Sequence, residues 1–251
     1  MGNAKEVALI VGGGPGISSS CARLFSEQGM VVAVAARNPN KPELEKLKEQ
    51  TGATCYACDA SEAGEVARLF ESVTQELGAP RLVVHNIDGR TMDIFRKEIT
   101  EADPELVLNT IKNSAYSAFL VGQQAAVRML ENEVQGDEHR GTIIFTNASA
   151  ALKGYAKSGA FAIASAGKAQ LAQSMARELM PKGIHVANVP IDAAIGWTQE
   201  DGSRKHRLAG TAVEDNLADP DHIAQTYLQL HRQHRSTWAF EVVLRPWVEN
   251  W

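Results

Sequence analysis

Short runs of Val, Ile, Leu and Ala recur along the chain, separated by longer stretches with helical spacing. The runs predict strands at Val7–Val11, Val31–Ala35, Thr54–Ala57, Leu82–His85, Thr142–Thr146, His185–Val189 and Phe240–Leu244. Between them, apolar positions repeating every three to four residues predict helices over Gly16–Gln28, Pro42–Glu49, Ser61–Leu77, Pro104–Asn132, Ala160–Met180 and Pro220–Gln233. The strands are apolar without alternation, so both faces are buried, as in a parallel sheet between two helix layers. Strand and helix alternate from end to end. That predicts an α/β fold: one doubly wound parallel sheet of about seven strands, with helices on both faces, in a single domain over residues 1–251.

One stretch escapes the pattern. Residues 195–219 are polar, contain glycine and carry the basic cluster Arg204-Lys205-His206-Arg207. A loop of that length following a strand's carboxyl end marks a substrate-binding region. The cluster reads either as a solvated helix face or as an anion site.

Composition narrows the partners. A net charge of −5 with no basic stripe argues against nucleic acid, and the longest apolar runs are far too short to span a membrane. Three cysteines and no secretion signal fit a reducing, cytoplasmic setting. Cys55 and Cys58 have CxxC spacing, but no second Cys/His pair follows at zinc spacing. They read as a buried strand end, and no metal is expected.

The first strand runs into Gly12-Gly13-Gly14-Pro15-Gly16-Ile17-Ser18 and then a helix. A strand, a glycine turn and a helix start make a phosphate site, because backbone N–H groups converge there and the helix dipole favours an anion. Gly12, Gly14, Gly16 and Ile17 are the candidate dinucleotide contacts. The second strand ends Ala36-Arg37, without the acidic residue that would hold the ribose hydroxyls of NAD. Arg37 pairs with a 2′-phosphate, favouring NADP(H), or is a surface cation.

This turn resembles the T-G-x-x-x-G-x-G pattern of the short-chain dehydrogenase/reductase family: Gly12 and Gly16 are in register, Val11 replaces the threonine and Ser18 the last glycine. The resemblance covers essentially the whole chain and implies a Rossmann-like domain. It assigns Asp59 to the adenine, although Asp59 also suits a helix cap, and it places Asn86 at the end of the fourth strand beside the dinucleotide. His85 and Asp88 depart from the family's N-N-A-G at that strand end.

The family's catalytic row is an asparagine, a serine, a tyrosine and a lysine. Here those positions hold Ser114, Ala148, Ala164 and Lys168, with Asn113 and Ser149 one residue away from the first two. Only Lys168 survives, and the resemblance makes it a ligand of the nicotinamide ribose. Ser149 enters the site through a one-residue loop shift; Tyr155 replaces the phenol only if its loop folds inward. The family's turn after the sixth strand corresponds to Ile191-Asp192, which places Asp192 near the nicotinamide as an acid/base or as a turn cap. Lys168, Asp192 and Ser149 are thus the catalytic candidates.

A methyl group at 164 cannot protonate a carbonyl. The sequence therefore implies an NADP(H)-dependent oxidoreductase acting on a small organic electrophile that dispenses with a phenol, such as an iminium ion or an activated carbonyl. The alternatives are a cyclase or isomerase that keeps NADP as a structural element, and an inactive NADP-binding regulator. The space left by Ala164 is expected to belong to the substrate pocket. Small apolar residues along Pro104–Asn132 and Ala160–Met180, read with the family's habit of pairing those helices, imply a homodimer or homotetramer.

Overall fold

The computed structural model describes residues 5–134, 139–199, 202–206, 210–211 and 215–249. Six parallel strands form the sheet: β1 (Val7–Val11), β2 (Val31–Ala36), β3 (Thr54–Ala57), β4 (Pro80–His85), β5 (Gly141–Ala148) and β6 (Ile184–Ile191). Their order is β3-β2-β1-β4-β5-β6, so the winding reverses between β1 and β4. Ligands of open α/β sheets bind at the carboxyl edge of that switch point.

Among the described residues there are seven α-helices: α1 (Ile17–Glu27), α2 (Pro42–Thr51), α3 (Ala63–Glu76), α4 (Pro104–Ile111), α5 (Ser117–Glu131), α6 (Gly159–Leu179) and α7 (Pro220–Arg232). Val7, Leu9 and Val11 point into one core layer with α3, α5 and α6. Ala8 and Ile10 point into the other, with α1, α2 and α7. That is the two-sided burial the unalternating strands demand.

Two elements differ from the sequence reading. The seventh strand is reduced to isolated parallel bridges, Asn188 with Glu241 and Ile191 with Leu244. Residues 240–244 do run along β6, with Val242 N–H donating to Asn188 O at 3.1 Å and Leu244 N–H to Pro190 O at 3.0 Å. Proline has no N–H to return, so the ladder breaks at Pro190. The helix expected over Pro104–Asn132 is interrupted by a π-turn at Lys112–Tyr116. There the Ser117 hydroxyl bonds back to Asn113 O at 2.7 Å, intruding on the helical ladder.

The stretch 195–219 is not featureless. Trp197–Thr198 pairs with Arg204–Lys205, and Leu217–Ala218 pairs in parallel with Ala194–Ile195. The basic cluster therefore lies on a short strand, Arg204–His206, and not on a helix. Arg207 lies outside the described residues. Arg204 fastens the hairpin, donating to Leu217 O at 3.2 Å and lying 3.7 Å from the Asp219 carboxylate.

Candidate active site at the sheet switch point

The carboxyl ends of β1, β2, β4, β5 and β6 open onto two chambers that share Asn86, Ile87, Asp88 and Arg90. One, of about 400 Å³, lies over β1–β2 and is lined by Gly12, Gly13, Ala36, Arg37, Lys41, Asp59 and Ser61, among others. The other, of about 260 Å³, reaches from the start of α1 across β5 and β6 and includes Gly14–Ser18, Ala148, Ser165 and Lys168.

The junction is built by the glycine turn. Gly12 has φ +109°, and a side chain there would strike the Asn86 carbonyl. A Cβ on Gly14 would meet nothing within 4 Å, so the turn is open above. Helix α1 begins at Gly16 with no side-chain cap and no acidic residue in its first turn. Its first N–H groups thus face the chamber uncapped, which suits a bridging diphosphate. Ser18 does more than replace a glycine: its hydroxyl donates to Gly12 O at 2.7 Å and accepts from Asn86 Nδ2 at 2.7 Å.

In the larger chamber Arg37 and Lys41 bring two cations to the end of β2, beside the short, buried Ala36. Asp59 lines the same wall and also takes Ser61 N–H at 2.9 Å and Ser61 Oγ at 2.8 Å, so it is both a wall residue and a turn cap. Burial works against its charge, but Ser61 and the nearby Arg37 hold its carboxyl below the usual range.

Lys168 comes up from α6 and is 2% exposed. Its Nζ donates to Ile87 O at 2.7 Å and Thr146 O at 3.2 Å, tying the ends of β4 and β5 together. Burial lowers the ammonium pKa to about 8, against the opposing charge of Asp88. Behind it His85 is fully buried, with Nε2 2.8 Å from Ser117 Oγ. The single Ser117 proton goes to backbone carbonyls, which leaves Nε2–H as the donor and Nδ1 as a bare lone pair. Burial and the Lys168 charge hold this imidazole well below its ordinary pKa, so it is neutral.

Ser149 and Asp192 come together beside the smaller chamber without lining it; their neighbours Ala148, Ile191 and Ala193 do. Asp192 is 3% exposed, 3.3 Å from Lys153 Nζ and 3.7 Å from Arg245 Nη2. Tyr155 stays 45% exposed and outside both chambers, its hydroxyl 3.4 Å from Ser149 Oγ and 3.5 Å from Asp192 Oδ1. Ala164 is wholly buried and is not part of the chamber wall, so the space expected from the lost phenol is not substrate space. Ser114 is buried as well, its hydroxyl without a partner.

Sequence reasoning missed several wall residues, among them Lys41 of the larger chamber and Arg90, Phe161 and Trp197 of the smaller. Arg90 grips Asp88 through Nε at 2.9 Å and Nη2 at 2.8 Å, and its guanidinium lies 3.8 Å over the Phe161 ring. Trp197 projects from the hairpin toward Gly16 and closes the opposite side. A lone tryptophan in a polar loop was a readable signal; the Arg90–Phe161 contact joins residues 71 positions apart and was not.

The CxxC cysteines are free, with the Cys58 thiol pushed up to about 12 by burial, which leaves it unreactive. Among the described residues no His/Cys/Asp/Glu group could hold a metal, and no helix is long and apolar enough to cross a membrane.

A family model described as enoyl-(acyl carrier protein) reductase matches residues 12–240. The 3-oxoacyl-(acyl-carrier-protein) reductase of Mycobacterium tuberculosis is 29% identical over 196 residues, 78% of this chain and 70% of that protein. A short-chain dehydrogenase from Rhodopseudomonas palustris superposes with TM-score 0.76 at 28% identity, covering 96% of this chain and 99% of its own. A metagenomic short-chain oxidoreductase in complex with NADP shares the fold at TM-score 0.76 and 22% identity, covering 96% of this chain and 97% of its own. With its sheet order, its glycine turn and its buried lysine, the chain belongs to the short-chain dehydrogenase/reductase family.

Proposed function

We propose that this protein is an NADP(H)-dependent oxidoreductase whose substrate is a small activated carbonyl compound. The observation that carries the reading is Lys168: its buried ammonium lines the chamber next to the glycine turn, while Ala148 and Ala164 occupy the positions of the family's hydroxyl groups. The dinucleotide, when bound, supplies or accepts the hydride.

The chain's own residues supply the rest. Backbone N–H groups of Gly14, Gly16 and Ile17 with the α1 dipole take the diphosphate, Arg37 with Lys41 takes the 2′-phosphate, and Asp59 and Asn86 border the adenosine half. Lys168 stands at the nicotinamide end. A fixed cation in a chamber walled by Ala148, Ile191, Ala193 and Phe161 stabilises negative charge developing on a substrate oxygen. The same cation repels an iminium ion, so an activated carbonyl is favoured over the cationic alternative. The mycobacterial relative is named for a 3-oxoacyl substrate, a ketone activated by its neighbouring thioester.

Asp192, held between Lys153 and Arg245, fastens the wall behind Ile191 and Ala193. Ser149 borders it through Tyr155. Residues 195–219 serve as the substrate loop, and the protein works as a cytoplasmic homodimer or homotetramer. Calorimetry tests the cofactor half: NADPH should bind at least tenfold more tightly than NADH, and Arg37→Ala should erase the difference. Equal affinities in the wild-type protein would refute it.

A further inference from the structure

We propose that Lys168 is itself the proton donor of this site, delivering its one uncommitted N–H to the reacting oxygen in place of the absent phenol. The inference rests on the reductase reading above and names the acid that reading leaves open.

An ammonium group has three N–H donors and no acceptor. Two of those at Lys168 are spent on Ile87 O and Thr146 O. Both acceptors are backbone carbonyls at strand ends, so they hold the nitrogen in place without taking its proton. The third is left for the chamber that Lys168 lines, and the proposal gives it to the reacting oxygen in place of the nicotinamide ribose that the family resemblance assigns to this lysine.

The other polar groups of that chamber are committed or unfit, the Ser165 hydroxyl being a far weaker acid than an ammonium. Asn86 Nδ2 is bonded to Ser18, and Asn147 Nδ2 to Ser165 O and Asn188 Oδ1. The Thr146 hydroxyl is paired with Tyr227 at 2.7 Å. Arg90 is bound in a fork to Asp88, and a guanidinium does not give up its proton in a protein. The nearest imidazole, His85, is neutral and lies behind the lysine. Among the described lining residues Lys168 is therefore the one acid able to release a proton near neutral pH. Burial among apolar walls makes that release easier, bringing the ammonium to about 8, and Asp88 is the charge that opposes it.

The step balances. A hydride from the dihydronicotinamide forms a bond to the carbonyl carbon, and the C=O π pair moves to oxygen. The Lys168 N–H bond breaks, its proton going to that oxygen and its electron pair staying on Nζ as a neutral amine. Solvent returns the proton after product leaves.

Two measurements test this. Carbon-13 NMR of labelled lysine in the protein without cofactor, with Lys168 assigned from Lys168→Arg, should show it titrating near 8; a midpoint at or above 10 would overturn the proposal. With NADPH and an acetoacetyl thioester as the probe, Lys168→Arg should hold NADPH within about threefold yet reduce the probe roughly a hundredfold more slowly. The wild-type kcat/KM should fall above pH ~8, and the arginine variant should lack that limb. Adding methylamine to Lys168→Ala should restore reduction in proportion to the amine. An arginine variant as fast as wild type would overturn the proposal while leaving the reductase reading intact. A wild-type protein that binds NADPH and leaves the probe unreduced would bring down that reading, and this one with it.

Discussion

Asn86 donates its side-chain N–H to Ser18 Oγ over 2.7 Å, joining the end of β4 to the first turn of α1. The bond bridges the point where the winding of the sheet reverses, and Ser18 passes its own proton on to the Gly12 carbonyl. Ser18→Ala strands both partners near the floor of the chamber. It should cost about 1–3 kcal/mol of stability and weaken NADPH binding by up to roughly tenfold. Urea titration and calorimetry check this; a variant unchanged in both would show that the serine merely fills a glycine's place.

Asp192 is a second point where stability and activity separate. Its carboxylate serves Lys153 and the largely buried Arg245, so Asp192→Asn should lose about 1–3 kcal/mol, discounted for the partly exposed lysine. NADPH affinity should fall only modestly. Full stability with lost turnover would instead make Asp192 an acid that reaches the substrate.

At the opposite edge of the sheet, Glu6 meets His231 at 3.4 Å and Arg232 at 3.0 Å. The hydrogen bond from His231 outweighs burial and, with the charges of His231, Arg232 and Arg81, brings the Glu6 carboxyl down to about 2 from 4.5. A folded pKa below the unfolded one means stabilisation that is complete above about 4.5 and lost as pH falls toward 2. Nearby His139, pushed down to about 4 chiefly by burial, makes stability fall earlier, from 6.5 downward. The difference in thermal midpoint between wild type and Glu6→Gln isolates the first effect. It should narrow as pH falls from about 4.5 toward 2; a gap that widens over that range would contradict it.

An apolar stripe runs along the outside of the long central helix: Tyr116 is 41% exposed, Phe119 42%, Val127 44% and Leu130 40%, with Ile163 of α6 at 54%. Such a surface favours pairing with a second copy. Light scattering should give two or four times the 27.1 kDa chain mass, and Phe119→Asp should lower it. A wild-type monomer at micromolar concentration would rule this out.

The sheet was legible because its strands carry uninterrupted apolar runs, and the glycine turn because a phosphate cradle tolerates few side chains at Gly12 and Gly14. The family resemblance singled out Lys168; its two carbonyl partners were not legible, since Ile87 and Thr146 act through backbone. The sequence put Asp192 and Ser149 at the correct strand ends but could not say which way they face. Side-chain alternation past the end of β6 sets Asp192 against Lys153 and leaves Ile191 and Ala193 to the chamber. The broken seventh strand was visible only in hindsight, in the missing N–H of Pro190.

Hydride transfer in a chamber with no phenol among its described lining residues is read directly by isotope transfer. The protein is incubated with NADPH deuterated at the reactive C4 face and a panel containing a 3-oxoacyl thioester, an enone, a simple ketone and an iminium ion. The reduced-nicotinamide absorbance should fall with one deuterium appearing at the former carbonyl carbon of the thioester, and the iminium ion should not be reduced. Product formed with the absorbance unchanged and no deuterium incorporated would contradict hydride transfer.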